Sequence, residues 1–245
     1  MSPATTGAVA LRVLTQLRRD HRTVAMMLVV PCVLLTLLWW MFDRDPALFD
    51  RLGPPLLAMF PFIVMFLVTS VTTLRERSSG TLERLLSMPM GKLDLLLGYA
   101  IAFGVLALLQ SVLAVGLTVG LLGMEVDGPV WALTVVAVLD AVLGTALGLF
   151  VSAFAETEFQ AVQFMPALVL PQVLLCGLFV PRDALPEVLG AISNLLPLSY
   201  AVDAMQHLQS SADLSTELLR DLGVIVGFIV GSLMLGAATL RRRTS

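Results

Sequence analysis

Apolar residues run along this chain in long blocks separated by short polar breaks. Six blocks reach the roughly 20 residues that a helix needs to cross the hydrocarbon of a bilayer. They are Thr23 to Phe42, Pro54 to Leu74, Leu95 to Leu122, Pro129 to Phe154, Phe159 to Val180 and Leu222 to Leu240. No lysine or arginine interrupts any of them. Strands that cross a membrane alternate apolar and polar positions, and that pattern is absent, so a barrel is not predicted. Prolines at Pro31, Pro61, Pro166 and Pro171 would stop a helix in water. Within a bundle, neighbouring groups re-satisfy the carbonyls they free. The expected fold is all-α and membrane-embedded, with six transmembrane helices.

Ahead of the first block the pattern changes. Ala10, Val13, Leu14 and Leu17 recur at helical spacing, opposite Arg12, Gln16 and Arg19. That predicts an amphipathic helix within residues 1–22, lying in the inner interface with its arginines towards anionic headgroups. A plain positive anchor accounts for the same residues equally well. A cleaved secretory leader does not, because no small-residue cleavage site follows Trp39, Trp40 and Met41. The organisation expected is therefore an interfacial helix over residues 1–22 and a six-span domain over 23–245. The longest stretch outside a span, Pro181 to Asp221, has 41 residues and is too short for a folded domain.

Composition sharpens this. Hydrophobic residues make up 58% of the 245 and charged residues 13%, so a water-soluble globule of this size could not cover its surface. Disordered and nucleic-acid-binding chains, which need high charge, are excluded. The charges that remain are sorted by side. With the N-terminus inside, Arg12, Arg18, Arg19, Arg22, Arg75, Arg77, Arg84, Lys92, Arg241, Arg242 and Arg243 are cytoplasmic, leaving Arg44, Arg51, Arg182 and Arg220 outside. That asymmetry predicts a multi-pass protein of the inner (plasma) membrane with both termini in the cytoplasm.

Catalytic chemistry finds no foothold in the pattern. A phosphate-binding loop needs Gly-x-x-x-x-Gly-Lys-Ser/Thr. Lys92 follows Gly91, but Leu93 comes next and Leu86 stands at the first glycine's place. The two histidines, His21 and His207, fall outside the spans on opposite sides, and the cysteines Cys32 and Cys176 sit in apolar runs, so neither a protease site nor a metal cluster is expected. No cofactor is expected on this chain. Asp140, twelfth in its span, lies near the midplane, where a charge is expensive and often marks a pathway. It reads either as an interior acid that shapes the pathway or packing, with Gln110, Gln163 or Gln172 as mates, or as the proton site of a secondary carrier.

Two polar segments invite function. Between the second and third spans, residues 75–94 read RERSSGTLERLLSMPMGKLD. Thr81 to Met88 can form two helical turns with Leu82, Leu85 and Leu86 on one face, Pro89 and Gly91 end them, and Asp94 can cap the third span. Such turns either dock into a groove on another protein or rest on the bilayer. In residues 181–221, Ala184 to Ser193 and Leu198 to Gln206 are too short to cross, with Pro186 and Pro197 near their starts. On physics alone Tyr200 is an interfacial aromatic and Asp203 a solvated acid. Small-residue pairs at Gly116 and Gly120 and at Gly227 and Gly231 can bring helices close.

These segments also resemble a known family. ERSSGTLERLLSMP is similar to the stretch after the second span of ABC-2 (type-2 ABC exporter) permeases, through Glu76, Gly80, Thr81, Glu83, Leu85 and Pro89. GLFVPRDALPEVLGAISNLLPLSYAVDAM resembles the segment between the fifth and sixth spans, through Gly177, Pro181, Pro186, Pro197, Tyr200 and Asp203. AETEFQAVQFMPALVLP resembles the entry into the fifth span, through Glu158, Ala161, Gln163 and Pro171. Gln206 departs from the arginine often found after the Asp203 position, leaving Asp203 without that external partner. The resemblance implies that Gly80 to Pro89, with Glu76, Leu82 and Leu86, form a coupling helix that touches separate ABC ATPase subunits carrying ATP and magnesium. It implies that the external segment forms short re-entrant helices closing the outer end, with Pro181, Pro186, Pro197, Tyr200 and Asp203 at the gate. It also implies a second permease copy or a paralogue as partner, and a drug or lipid-like solute moved outwards.

Overall fold

The computed structural model describes residues 2–79 and 91–239. Helix α1 covers Pro3–Arg19, α2 His21–Met41, α3 Pro46–Ser78 and α4 Lys92–Val115, which runs on into a wide π-helical turn, Gly116–Leu121. Then come α5 (Val130–Ser152), α6 (Glu158–Leu175), a short turn at Arg182–Ala184, α7 (Glu187–Ser193), α8 (Pro197–Ser210) and α9 (Thr216–Thr239). Among the described residues, six helices are long and apolar enough to cross a membrane: α2, α3, α4 with its wide turn, α5, α6 and α9. The predicted all-α architecture holds, with shifts at the ends.

Helix α3 begins at Pro46, eight residues before the apolar block, because a proline at the first helical position loses no hydrogen bond there. Its 33 residues make about 50 Å, more than the hydrocarbon needs, so whole turns extend beyond it. Helix α6 does the reverse and stops at Leu175, short of the expected Val180. The cause is Gly177, whose φ of +95° is open to glycine and turns the chain back before Pro181.

The centre of the bundle is the α3–α5 pair. A Cβ on Gly144 would collide with the carbonyl oxygen of Phe62, and one on Gly148 would lie 2.6 Å from that of Phe66. These two glycines, four apart on α5, let its backbone lie against α3. At Gly116, Gly120, Gly227 and Gly231, a Cβ would meet nothing within 4 Å, so the small-residue pairs picked out by sequence are not close contacts within this chain. Around the pair, α4 joins α5 through the Ser111 hydroxyl, which donates to the Ala137 carbonyl at 3.1 Å. Helices α8 and α9 close the other side of α5, while α2 and α6 lie against α3.

Helix α1 buries Thr6, Val9, Ala10, Val13 and Leu17. The predicted amphipathic pattern is there, but its apolar face meets α4 of the same chain. Gly98 of α4 makes room, since a Cβ there would stand 2.6 Å from that of Val9.

Candidate functional site

At the basic end of the bundle, the proposed coupling residues Gly80, Thr81, Leu82, Glu83, Leu85, Leu86 and Pro89 lie outside the described residues. Glu76, four positions ahead, is described and is only 4% exposed. Its Oε2 accepts from the Tyr99 hydroxyl of α4 and, at 3.4 Å, from Nη2 of Arg12 on α1. One carboxylate therefore ties the helix before the loop to the helix after it and to α1. Within this chain, Glu76 turns its carboxylate into the bundle.

Neighbouring polar groups brace the same end. Asp94 reaches back to accept from the Gly91 amide at 3.2 Å, as expected of a cap on the third span. Its other oxygen accepts from the Ser2 amide at 3.1 Å and the Thr6 hydroxyl at 3.4 Å, so it fastens the start of α1 as well. Arg77 donates to the carbonyls of Ser152 and Ala153, at 3.4 and 2.8 Å, satisfying the open end of α5. Arg75 grips Glu158 at the start of α6 with two bonds of 3.1 Å. Asp20 caps α2, and the Thr23 hydroxyl and amide hold its carboxyl below the usual carboxylate range. A cavity of about 350 Å³ between α1 and α3 is lined by Arg12, Gln16, Asp20, Arg75 and Glu76.

The opposite end contains the expected gate residues. Pro186 stands just before α7 and Pro197 opens α8, as their missing N–H groups allow, and the two helices meet at 90°. Pro181 precedes the short turn at Arg182. Tyr200 donates its hydroxyl to the Asn194 carbonyl at 2.7 Å. Asp203 is not a lone solvated acid, since it accepts from Nη1 of Arg182. The ion pair that Gln206 withholds is thus made by a residue 21 positions upstream, and Gln206 instead donates to the Gly177 carbonyl at 3.3 Å. Sequence reasoning missed Arg182 and Asn194. The available signal was a basic residue on the side that basic residues avoid.

In the interior, Asp140 has no exposed surface, and neither of its oxygens has a hydrogen-bond partner. The glutamines proposed as its mates are engaged elsewhere or unpaired. Gln172 accepts from the Leu198 amide and donates to Leu168, Gln163 points out from α6, and Gln110 is buried with neither polar atom bonded. Asp140 lies inside one chain, away from any outward wall.

Among the described residues, six helices apolar enough to cross a membrane, with a polar bend between the last two, make up a membrane-embedded helical bundle. Residues 5–210 match the ABC-2 type transporter family, and the chain belongs to it. Among curated proteins, it is 29% identical over 147 residues to the probable multidrug ABC transporter permease YbhS of Escherichia coli, covering 60% of this chain and 39% of that protein. It is 27% identical over 167 residues to the inner membrane transport permease YhhJ of Escherichia coli, covering 67% and 44%. It is 24% identical over 159 residues to the ABC transporter G family member 20 of Dictyostelium discoideum, covering 65% and 22%. The matched stretches thus span less than half the length of each of these relatives.

Proposed function

We propose that this chain is the permease half of an ATP-driven exporter of the inner (plasma) membrane, with both termini in the cytoplasm. Two copies, or this chain and a paralogue, enclose one pathway, and two separate ABC ATPase subunits supply ATP hydrolysis with magnesium. The observation that carries this reading is the family match across residues 5–210, which includes the whole loop between α3 and α4. The bracing of that loop's flanks supports it. Glu76 joins α3 to α4 and α1, so a push on the loop would be shared by three helices. The likeness to a probable multidrug ABC transporter permease favours an amphipathic or apolar solute such as a drug or lipid over a sugar. The sealed, unpaired position of Asp140 favours a packing role over proton carriage.

The decisive experiment concerns Leu85. As an apolar anchor in the coupling segment it is expected to sit in a groove of the ATPase, where truncation or charge is most damaging. Leu85→Asp is expected to lose ATPase copurification and substrate-stimulated hydrolysis while the permease still inserts. Glu83→Ala is expected to weaken transport less. Undiminished assembly and transport in Leu85→Asp would remove the coupling assignment.

A further inference from the structure

Helix α8 is fixed in the bundle: Leu198, Ala201, Val202, Ala204, Met205 and Leu208 have essentially no exposed surface. Its neighbour α7 is different. Val188, Leu189 and Ile192 are exposed, and Ser193 is the one residue of α7 that is buried. A seam of polar contacts joins α7 to α8, and it joins the end of α6 to α8 alongside the apolar packing of Val169 and Cys176. Ser193 donates to the Leu175 carbonyl at 2.8 Å and lies 3.1 Å from the Ser199 hydroxyl. Tyr200 and Gln206 reach from α8 to Asn194 and Gly177.

Arg182 is the hub of that seam. Its Nη1 donates to Asp203 on α8, and its Nη2 donates to Oδ1 of Asn194, at the end of α7, at 2.5 Å. The guanidinium also stands 5.1 Å from the centroid of the Tyr200 ring, within range of a cation–π attraction. Only a planar fork can serve a carboxylate, an amide and a ring face together; a lysine cannot. The turn is shaped around this side chain, since a Cβ on Gly177 would stand 3.2 Å from Cγ of Arg182. The pair is shielded but not sealed, with side chains 16% and 30% exposed for Arg182 and Asp203. Water can therefore replace these bonds when the seam parts, whereas the apolar underside of α8 has no such substitute.

We propose that Arg182 is the positioning residue of the outer gate: it latches α7 and the end of α6 to the fixed α8 and holds the outer end closed until transport parts the seam. This rests on the exporter reading above for its role in transport, but the latch itself can be tested without an ATPase. The reporter is built in. Cys176, at the end of α6, has no exposed surface, and Cys32→Ala leaves it as the only thiol. In cells carrying the full chain, a membrane-impermeant maleimide applied from outside is expected to label Cys176 slowly. Arg182→Gln and Asp203→Asn are each expected to speed labelling roughly tenfold, because losing one partner shifts the closed population by about that factor. Arg182→Lys, the milder change, should fall between them and the parent. The exchanged pair, Arg182→Asp with Asp203→Arg, should return labelling towards the parent rate, which mere loss of packing would not. A thiol at Ser111, deep between α4 and α5, placed in a chain lacking both native cysteines, should stay unlabelled throughout.

With the ATPase partner trapped by vanadate, the parent should label faster and Arg182→Gln should gain little more. Labelling of Cys176 at the parent rate in both Arg182→Gln and Arg182→Lys would overturn the latch. So would equal acceleration at Ser111→Cys, which would mean general loosening. Failure of any ATPase to assemble would count against the exporter reading and leave the labelling result standing.

Discussion

Helices α3 and α2 are about equally apolar, yet 61% of the apolar stretch of α3 is buried inside the chain and 17% of that of α2. Helix α5, also 61% buried, belongs with α3, and α6, at 17%, belongs with α2. In lipid, apolarity does not drive helices together, because the tails are as apolar as leucine. What separates the two pairs is shape and polar fastening. Helix α5 brings Gly144 and Gly148 against the backbone of α3, whereas α6 crosses with Pro166 and Pro171 and is tied mainly at its ends, by Glu158 and Gln172. The fixed pair forms the frame, and the lightly held helices show outward faces that lipid or a second subunit can cover.

The largest expected effect strikes the frame. Gly144→Leu forces a side chain into the Phe62 carbonyl, and overpacking of this kind costs about 3 kcal/mol or more. Thermal unfolding in detergent should show a large fall or no folded protein. Gly227→Leu, where a Cβ meets nothing within the chain, should change stability by less than about 0.5 kcal/mol. Equal losses at both positions would erase the distinction between frame and periphery.

A smaller effect is expected at the basic end. Tyr99→Phe removes one of the two donors to a buried carboxylate and should cost about 1–2 kcal/mol. Glu76→Ala should cost more than Tyr99→Phe, since it strands both Tyr99 and Arg12. Unfolding midpoints, read beside protease sensitivity of α1, would separate the two. Asp140→Asn should be milder still, within about 1 kcal/mol of the parent, because neither oxygen has a bond to lose. If it abolished transport while assembly persisted, a proton-carrier role would replace the packing one. The smallest effect belongs to α6. Leu174→Ala, at a side chain 61% exposed, should leave the stability of the single chain unchanged within about 0.5 kcal/mol. The same change should weaken self-association measured by cross-linking if a second copy covers that face.

The run lengths of apolar residues are enough to find the six long helices among the described residues, and capping residues place several ends well. Asp94 was recognised as a cap because a carboxylate at the start of a helix answers free N–H groups wherever it occurs. Its second task, holding Ser2 and Thr6, could not be read, since those residues lie about ninety positions away. Pro186 and Pro197 mark the bend between the last two spans in the sequence, yet its ion pair is not legible there, because Arg182 and Asp203 lie 21 positions apart. Glu76 is a marked residue in the sequence, but its bonds to Tyr99 and Arg12 join residues 23 and 64 positions apart and are not legible there.

Chain order and local chemistry alone therefore determined that this protein is a helical membrane protein, where its helices lie and which side carries the positive charge. Those properties follow from each segment's own transfer energy and from charges close by in sequence. Only the tertiary structure decided which glycines bring backbones together, that α1 turns its apolar face to α4, and that Arg182 replaces the missing partner of Asp203. Each of these depends on two segments far apart in the chain meeting face to face, and inside a bilayer no gradient of hydrophobicity marks which faces those will be.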